Sequence, residues 1–245
     1  MSAFPGEVNS ASTRGPVAGR FVSHFYVAMA LFIALIVAIA FAKRALADLS
    51  DPFSPRPWVL HFHIALSAIW VLLFVVQTTL IDRNRLAWHR SFGSFGAVIG
   101  TLLPIAGIAT AIAAARFHIA QGGPDRSAAI ILPISDMLAF AVTFVLAVWW
   151  RGRPEYHRRL MLMATCVLSL AAFPQLPDWL APANTKYVAD VLIVAGAARD
   201  WVAMRRIHPV YRFGLPLLVL WQLTARWIYI SAMPAWVAIA HQIVQ

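Results

Sequence analysis

The chain has 245 residues, 61% of them apolar and 12% charged, with 20 Lys and Arg against 10 Asp and Glu and a formal net charge of +10. With a mean hydropathy of +0.72, this composition excludes an ordinary soluble domain and points to a membrane protein. The positive surplus is not a nucleic-acid footprint: 18 of the 20 basic residues are arginines, most of them between apolar runs, where they act as topology signals.

Residues 1–20 are polar, contain Gly, Ser and Pro, and carry Arg14 and Arg20, which predicts a short disordered cytoplasmic tail. The apolar run at 21–42 is too long for a signal-peptide core and is expected to stay as an uncleaved anchor. Apolar segments follow at 57–81, 92–115, 127–150, 159–180, 187–204 and 213–233, most of them long enough to cross about 30 Å of hydrocarbon. The expected fold is therefore an all-α integral membrane protein, a single seven-transmembrane-helix bundle over residues 21–233. Residues 234–245 form a short periplasmic or interfacial tail, amphipathic at best. Pro174 and Pro177 interrupt the fifth segment. Asp190, Arg199 and Asp200 make the sixth so polar that six helices are the alternative.

Three loops carry the arginines: Arg83, Arg85 and Arg90; Arg151, Arg153, Arg158 and Arg159; Arg205, Arg206 and Arg212. They are expected on the cytoplasmic side, which puts the N-terminus inside and the C-terminus in the periplasm. The lone Cys166 lies in an apolar run and offers neither a disulfide framework nor a cysteine zinc site. Gly93, Gly96, Gly100 and Gly107 recur at three- to four-residue or seven-residue steps along one face, a pattern that lets a neighbouring helix approach closely.

The eight histidines divide between the two sides, His61, His63, His118 and His241 outside and His24, His89, His157 and His208 inside. Pairs of histidines on neighbouring helices hold haem in membrane cytochromes, so His63, His118, His89 and His157 are candidates for haem b or a metal. His61 and His63 lie about 200° apart on a helix. His63 shares its stripe with Ser67, Trp70 and Gln77, whereas His61 heads the apolar line Ala65, Ala68, Leu72, so His63 is the inward one.

Asp136 and Arg226 fall at similar depth in their segments, and a buried charge in lipid is a functional-site hypothesis by default. Paired, with His63 and Asp190 nearby, they predict an outer-half polar pocket lined by Trp70, Trp221, Gln222 and Tyr229, with Gln77 on the same stripe as His63. Arg85-Leu-Ala-Trp88-His89-Arg90 and Arg153-Pro-Glu-Tyr156-His157-Arg158 share Arg-x-x-aromatic-His-Arg, an internal repeat opening two helices. With Arg159, these residues make a basic face suited to anionic lipid headgroups or phosphate.

The motifs His61-Phe-His63, Trp70, Gln77, then His89-Arg90-Ser-Phe-Gly93, then His157-Arg-Arg159-Leu160-Met161 resemble those of an uncharacterised group of bacterial multi-pass inner-membrane proteins. The resemblance implies a prokaryotic inner-membrane location and carries no activity with it. The only lysines, Lys43 and Lys186, leave no amine in the last apolar segment for a retinal Schiff base, and neither an HxxxH nor a HxxHH di-iron motif occurs. Phosphate-loop and dinucleotide fingerprints do not occur either. Three functions remain: a histidine-based haem or metal redox protein, a small-solute or proton-coupled transporter using the His/Asp/Arg pocket, and an accessory subunit binding lipid through its arginine face.

Overall fold

The computed structural model describes residues 16–50, 56–177, 180 and 187–245, and every regular element among them is helical. The α-helices are α1 (Pro16–Ser50), α2 (Trp58–Asp82), α3 (Leu86–Ala120), α4 (Ile131–Trp149), α5 (Pro154–Ser169), α6 (Val188–Met204), α7 (Pro209–Ile230) and α8 (Pro234–Val244). Short 3-10 turns at Ser127–Ile130 and Phe173–Gln175 precede α4 and follow α5. Residues 16–20 of the expected tail are helical; residues 1–15, 51–55, 178–179 and 181–186 lie outside the described residues.

Local chemistry sets most boundaries. Proline opens α5, α7 and α8 at the first helical position, where its missing N–H is one the helix leaves unbonded anyway. Asn84 turns α2 into α3 at φ +56°, and Arg85 N–H then bonds back to Leu80 O at 2.8 Å. α5 ends at Ser169; Pro174 has no N–H to give the Leu170 carbonyl, and the chain tightens into the turn Phe173–Gln175. α3 and α7 run through Pro104 and Pro216 without ending.

Five segments are long and apolar enough to cross a bilayer: His24–Ala42, Trp58–Asp82, Leu86–Ala120, Ser127–Trp149 and Pro209–Ile230. The chain is thus an α-helical protein fit for a membrane. α5 and α6, at 16 and 17 residues, are shorter than the roughly 20 an upright span needs. Large apolar side chains such as Leu35, Leu72, Ile105, Val142 and Leu217 point outward, as lipid requires.

Lipid gives helices no hydrophobic reason to associate, so close packing and polar contacts must do it. α4 and α5 lie at the centre: α4 packs on α3, α5 and α7, and α5 touches α1, α2, α4, α6 and α7. Ten of the sixteen residues of α5 are buried. Two of the four stripe glycines are close-approach sites. A Cβ on Gly100 would stand 2.4 Å from Phe144 Cζ and 2.8 Å from Trp70 Cζ3, and one on Gly107 2.4 Å from Met137 Sδ. Gly93 and Gly96 have room. Trp70 meets Phe140 and Phe144 edge-on at 5.3 and 5.5 Å and donates from Nε1 to Thr165 Oγ1 at 3.3 Å, tying α2 to α4 and α5.

The C-terminal tail is a docked helix. Ala240 and Val244 of α8 bury against Ile130. Arg116 donates to the carbonyls of Ile243 and Val244 at 2.7 and 3.0 Å, Trp236 Nε1 to Ala128 O at 2.8 Å, and His241 Nε2 lies 3.2 Å from Asp125 Oδ2.

Gly100→Ala is expected to destabilise the detergent-solubilised protein by about 1–3 kcal/mol through overpacking. Phe144→Leu in the same chain should recover part of that loss, and thermal unfolding of the two variants beside the parent checks it.

Candidate functional site

Antiparallel hairpins bring the α2–α3, α4–α5 and α6–α7 loops to one end of the bundle, with the start of α1. His24 Nδ1 meets Asp82 Oδ1 at 2.8 Å, and the rings of Tyr156 and His208 lie 4.6 Å apart. Arg83, Arg85, Arg90, Arg151, Arg153, Arg205, Arg206 and Arg212 are exposed at this end. Of the basic-face candidates, Arg85, Arg90 and Arg153 are exposed, and Arg158 is partly exposed.

Arg159 is a correction. It is fully buried and holds Asp200, also fully buried, in a two-pronged contact, Nε to Oδ2 and Nη2 to Oδ1, both at 2.7 Å. Its Nη1 donates to Glu155 Oε2 and to Glu155 O at 2.6 Å. Arg199 Nη1 reaches Asp200 Oδ1 at 3.1 Å, and the guanidiniums of Arg158 and Arg199 each lie 5.4 Å from the Tyr26 ring centre. This network joins α1, α5 and α6 and has no exposed guanidinium at its centre for a headgroup. Asp200, Tyr26 and Arg199 were absent from the expected site. Their signal was the polarity of the sixth segment, which reads as weak hydrophobicity until the partner on α5 is known.

The expected Asp136–Arg226 pair does not form either. Asp136 forms no ion pair among the described residues. Gln222 Nε2 donates to Asp190 Oδ1 at 3.3 Å, while Asp190 Oδ2 is buried without a hydrogen-bond partner. Asp190 is 8% exposed and sits in the first turn of α6, where the helix dipole supports negative charge. Asp136 is half-buried on α4, and Arg226, half-buried on α7, makes no ion pair with it. The pocket lining changes accordingly. Trp221 donates from Nε1 to Ser135 O at 2.9 Å and edges an apolar crevice of about 120 Å³ between α4 and α7, and Tyr229 is exposed.

The histidines separate by environment. His63 is half-buried and turned inward, with Cε1 at Gly107 and Nδ1 buried without a partner, whereas His61 is exposed. His118 packs against Gly123 and lines, with Arg56 and Leu60, a crevice of about 160 Å³ at the opposite end. It stands eleven residues, about 16 Å of helix rise, beyond Gly107, so His63 and His118 are not a facing pair. His89 and His157 do meet, with ring centres 6.4 Å apart. Among the described residues no group of three or more His, Cys, Asp or Glu side chains could hold a metal. Set against protein-family models, curated proteins and solved structures, the chain has no match.

Removing one partner of the buried pair leaves the other uncompensated. Arg159→Met should cost about 3–5 kcal/mol of stability, and Arg159→Met with Asp200→Leu should recover most of it; chemical unfolding in detergent reads both.

His208 supplies a pH test. Its Nδ1 accepts from Val210 N–H at 3.2 Å and caps α7. Burial, reinforced by the Arg159 guanidinium, holds its imidazole below the usual histidine range. The native state thus keeps His208 neutral while the unfolded chain takes up a proton. The stabilisation is whole above about pH 6.5 and is lost as pH falls through the lower native value. His208→Asn, which can still cap, should flatten the loss of thermal stability between about pH 7 and 5 relative to the parent.

Proposed function

We propose that the chain is a multi-pass protein of the bacterial cytoplasmic membrane, N-terminus inside, in which all of α1 to α7 cross the bilayer, and that it is a proton-coupled carrier loading its proton at Asp136 and Asp190. The exposed arginines at one end support the orientation through the positive-inside bias. α5 and α6 are short and polar, but α5 is enclosed by the other helices and α6 buries Asp190, Arg199 and Asp200, the setting in which such segments are tolerated.

One observation carries the functional reading: Asp190 Oδ2 is a buried, unpartnered acceptor, and among the described residues neither Asp190 nor Asp136 takes part in an ion pair. An unpaired carboxylate in low dielectric is costly, and a bound cation offsets the cost. The proton is the smallest cation that fits a packed interior. Asp190, supported by the α6 dipole and Gln222, is the positioning group, and Asp136, in the second turn of α4 without a side-chain partner, is the one that loads and unloads.

Purified protein reconstituted in liposomes with an internal pH dye is expected to speed the collapse of an imposed pH gradient. Asp136→Asn should abolish the acceleration, Asp190→Asn should impair it, and Arg226→Gln should leave it intact. Flux equal to protein-free vesicles, or an Asp136→Asn protein as fast as the parent, would refute the carrier. Equal loss in Arg226→Gln would return the site to the Asp136–Arg226 arrangement.

A further inference from the structure

The sequence repeat Arg-x-x-aromatic-His-Arg becomes a spatial pair. α3 opens at Leu86 and α5 at Pro154, so His89 and His157 each stand three residues into their helices. The two helices start at the same end of the bundle and bring the rings to 6.4 Å, at an interplanar angle of 77°. Both histidines are half-buried there.

His157 Nδ1 lies 2.8 Å from Ala147 O. A carbonyl only accepts, so Nδ1 carries the hydrogen and the lone pair is on Nε2. A backbone carbonyl orienting one ring nitrogen so that the other can bind is the usual support of a metal-ligating histidine. On the other side, Gln77 of α2 donates from Nε2 to His89 O at 3.2 Å. The acceptor there is again a carbonyl, which fixes which end of the amide is nitrogen. That leaves two buried atoms without partners, Gln77 Oε1 and His89 Nδ1. Two imidazoles from α3 and α5 thus meet, and Gln77 of α2, bonded to the backbone of one of them, has its Oε1 unpaired.

We infer that His89 and His157, with Gln77 Oε1 as a further donor, bind one first-row transition-metal ion at the arginine-rich end of the bundle. Imidazole nitrogen at about 2.0–2.1 Å from a metal puts each ring centre about 3.2 Å from it, so two rings on one ion lie at most about 6.4 Å apart. The observed spacing stands at that limit. With the two ligating nitrogens turned toward each other, that spacing suits a near-linear pair, and a tetrahedral one after the rings close by about 1 Å. Two imidazoles favour copper, nickel and zinc, copper most strongly in the divalent series. The exposed Arg90 beside His89 repels a cation, so the site should be weaker than an isolated histidine pair, and more so at low salt. The site is separate from the carboxyl pair and stands or falls independently of proton loading.

The test uses full-length protein purified through a histidine-free tag and titrated with Cu²⁺ or Zn²⁺ alone. One equivalent should bind, and Cu²⁺ should give an electron paramagnetic resonance spectrum with hyperfine structure from two nitrogens. His89→Gln and His157→Gln should each weaken binding at least about tenfold, the scale on which even supporting residues act, and Gln77→Leu should weaken it less. His241→Gln, at the other end, should change nothing. Should the histidine variants fail to fold, the parent spectrum decides: one nitrogen or none overturns the site. Affinity unchanged in folded His89→Gln and His157→Gln, or no saturable binding, overturns it equally and leaves the two rings as a packing contact.

Discussion

The contact between Arg159 and Asp200 constrains the rest of the bundle. A guanidinium and a carboxylate, both out of water, must find each other in a geometry that uses their hydrogen-bonding groups, because either alone is far costlier than the pair. Arg159 lies on α5, the most enclosed helix, and Asp200 on α6. Their two-pronged contact sets the register of α6 against α5 more narrowly than apolar packing in lipid can. Glu155 and Arg199 extend the network to the surface and to Tyr26 on α1. With α6 fixed at that end, Asp190 is carried to its place beside Gln222.

The interior is layered. At the arginine-rich end are the ion network and the pair of histidines. In the middle, Trp70, Phe140 and Phe144 fill the space that Gly100 leaves, and Leu162, Met163, Cys166 and Ile193 are buried around them. Towards the opposite end are Asp136, Asp190, Gln222 and His63. The apolar layer separates two polar ones, so groups at either end can change charge without meeting across the bundle.

Much of this could be read from the residues in order. The apolar segments became helices, and the 200° between His61 and His63 correctly turned one outward and the other in. The repeated arginine, aromatic and histidine pattern marked two helix starts that meet. What failed was azimuth and register. Arg226 and Asp136 are level, four and five residues from the ends of α7 and α4, but equal depth does not fix azimuth: it is Gln222, one turn earlier on α7, that reaches Asp190. Arg159 read as a surface residue because it follows exposed arginines, and a run of like residues in sequence does not reveal that one points inward. Asp200 could be paired only once α5 and α6 were known to touch.

α5 and α6 rise only about 24 and 26 Å at 1.5 Å per residue, against about 30 Å for the hydrocarbon of a bilayer. On the proposed seven-span reading, the insulating layer would be thinner where they stand than around α2 or α3. A membrane voltage falling over a shorter distance is a steeper electric field. On the proposed carrier reading, a charge passing between the carboxyl groups and the arginine-rich end would move along that field, the full drop being worth about 2.3 kcal/mol per charge per 100 mV. The brevity of two helices would then make the occupancy of those carboxyl groups sensitive to how strongly the cell is energised.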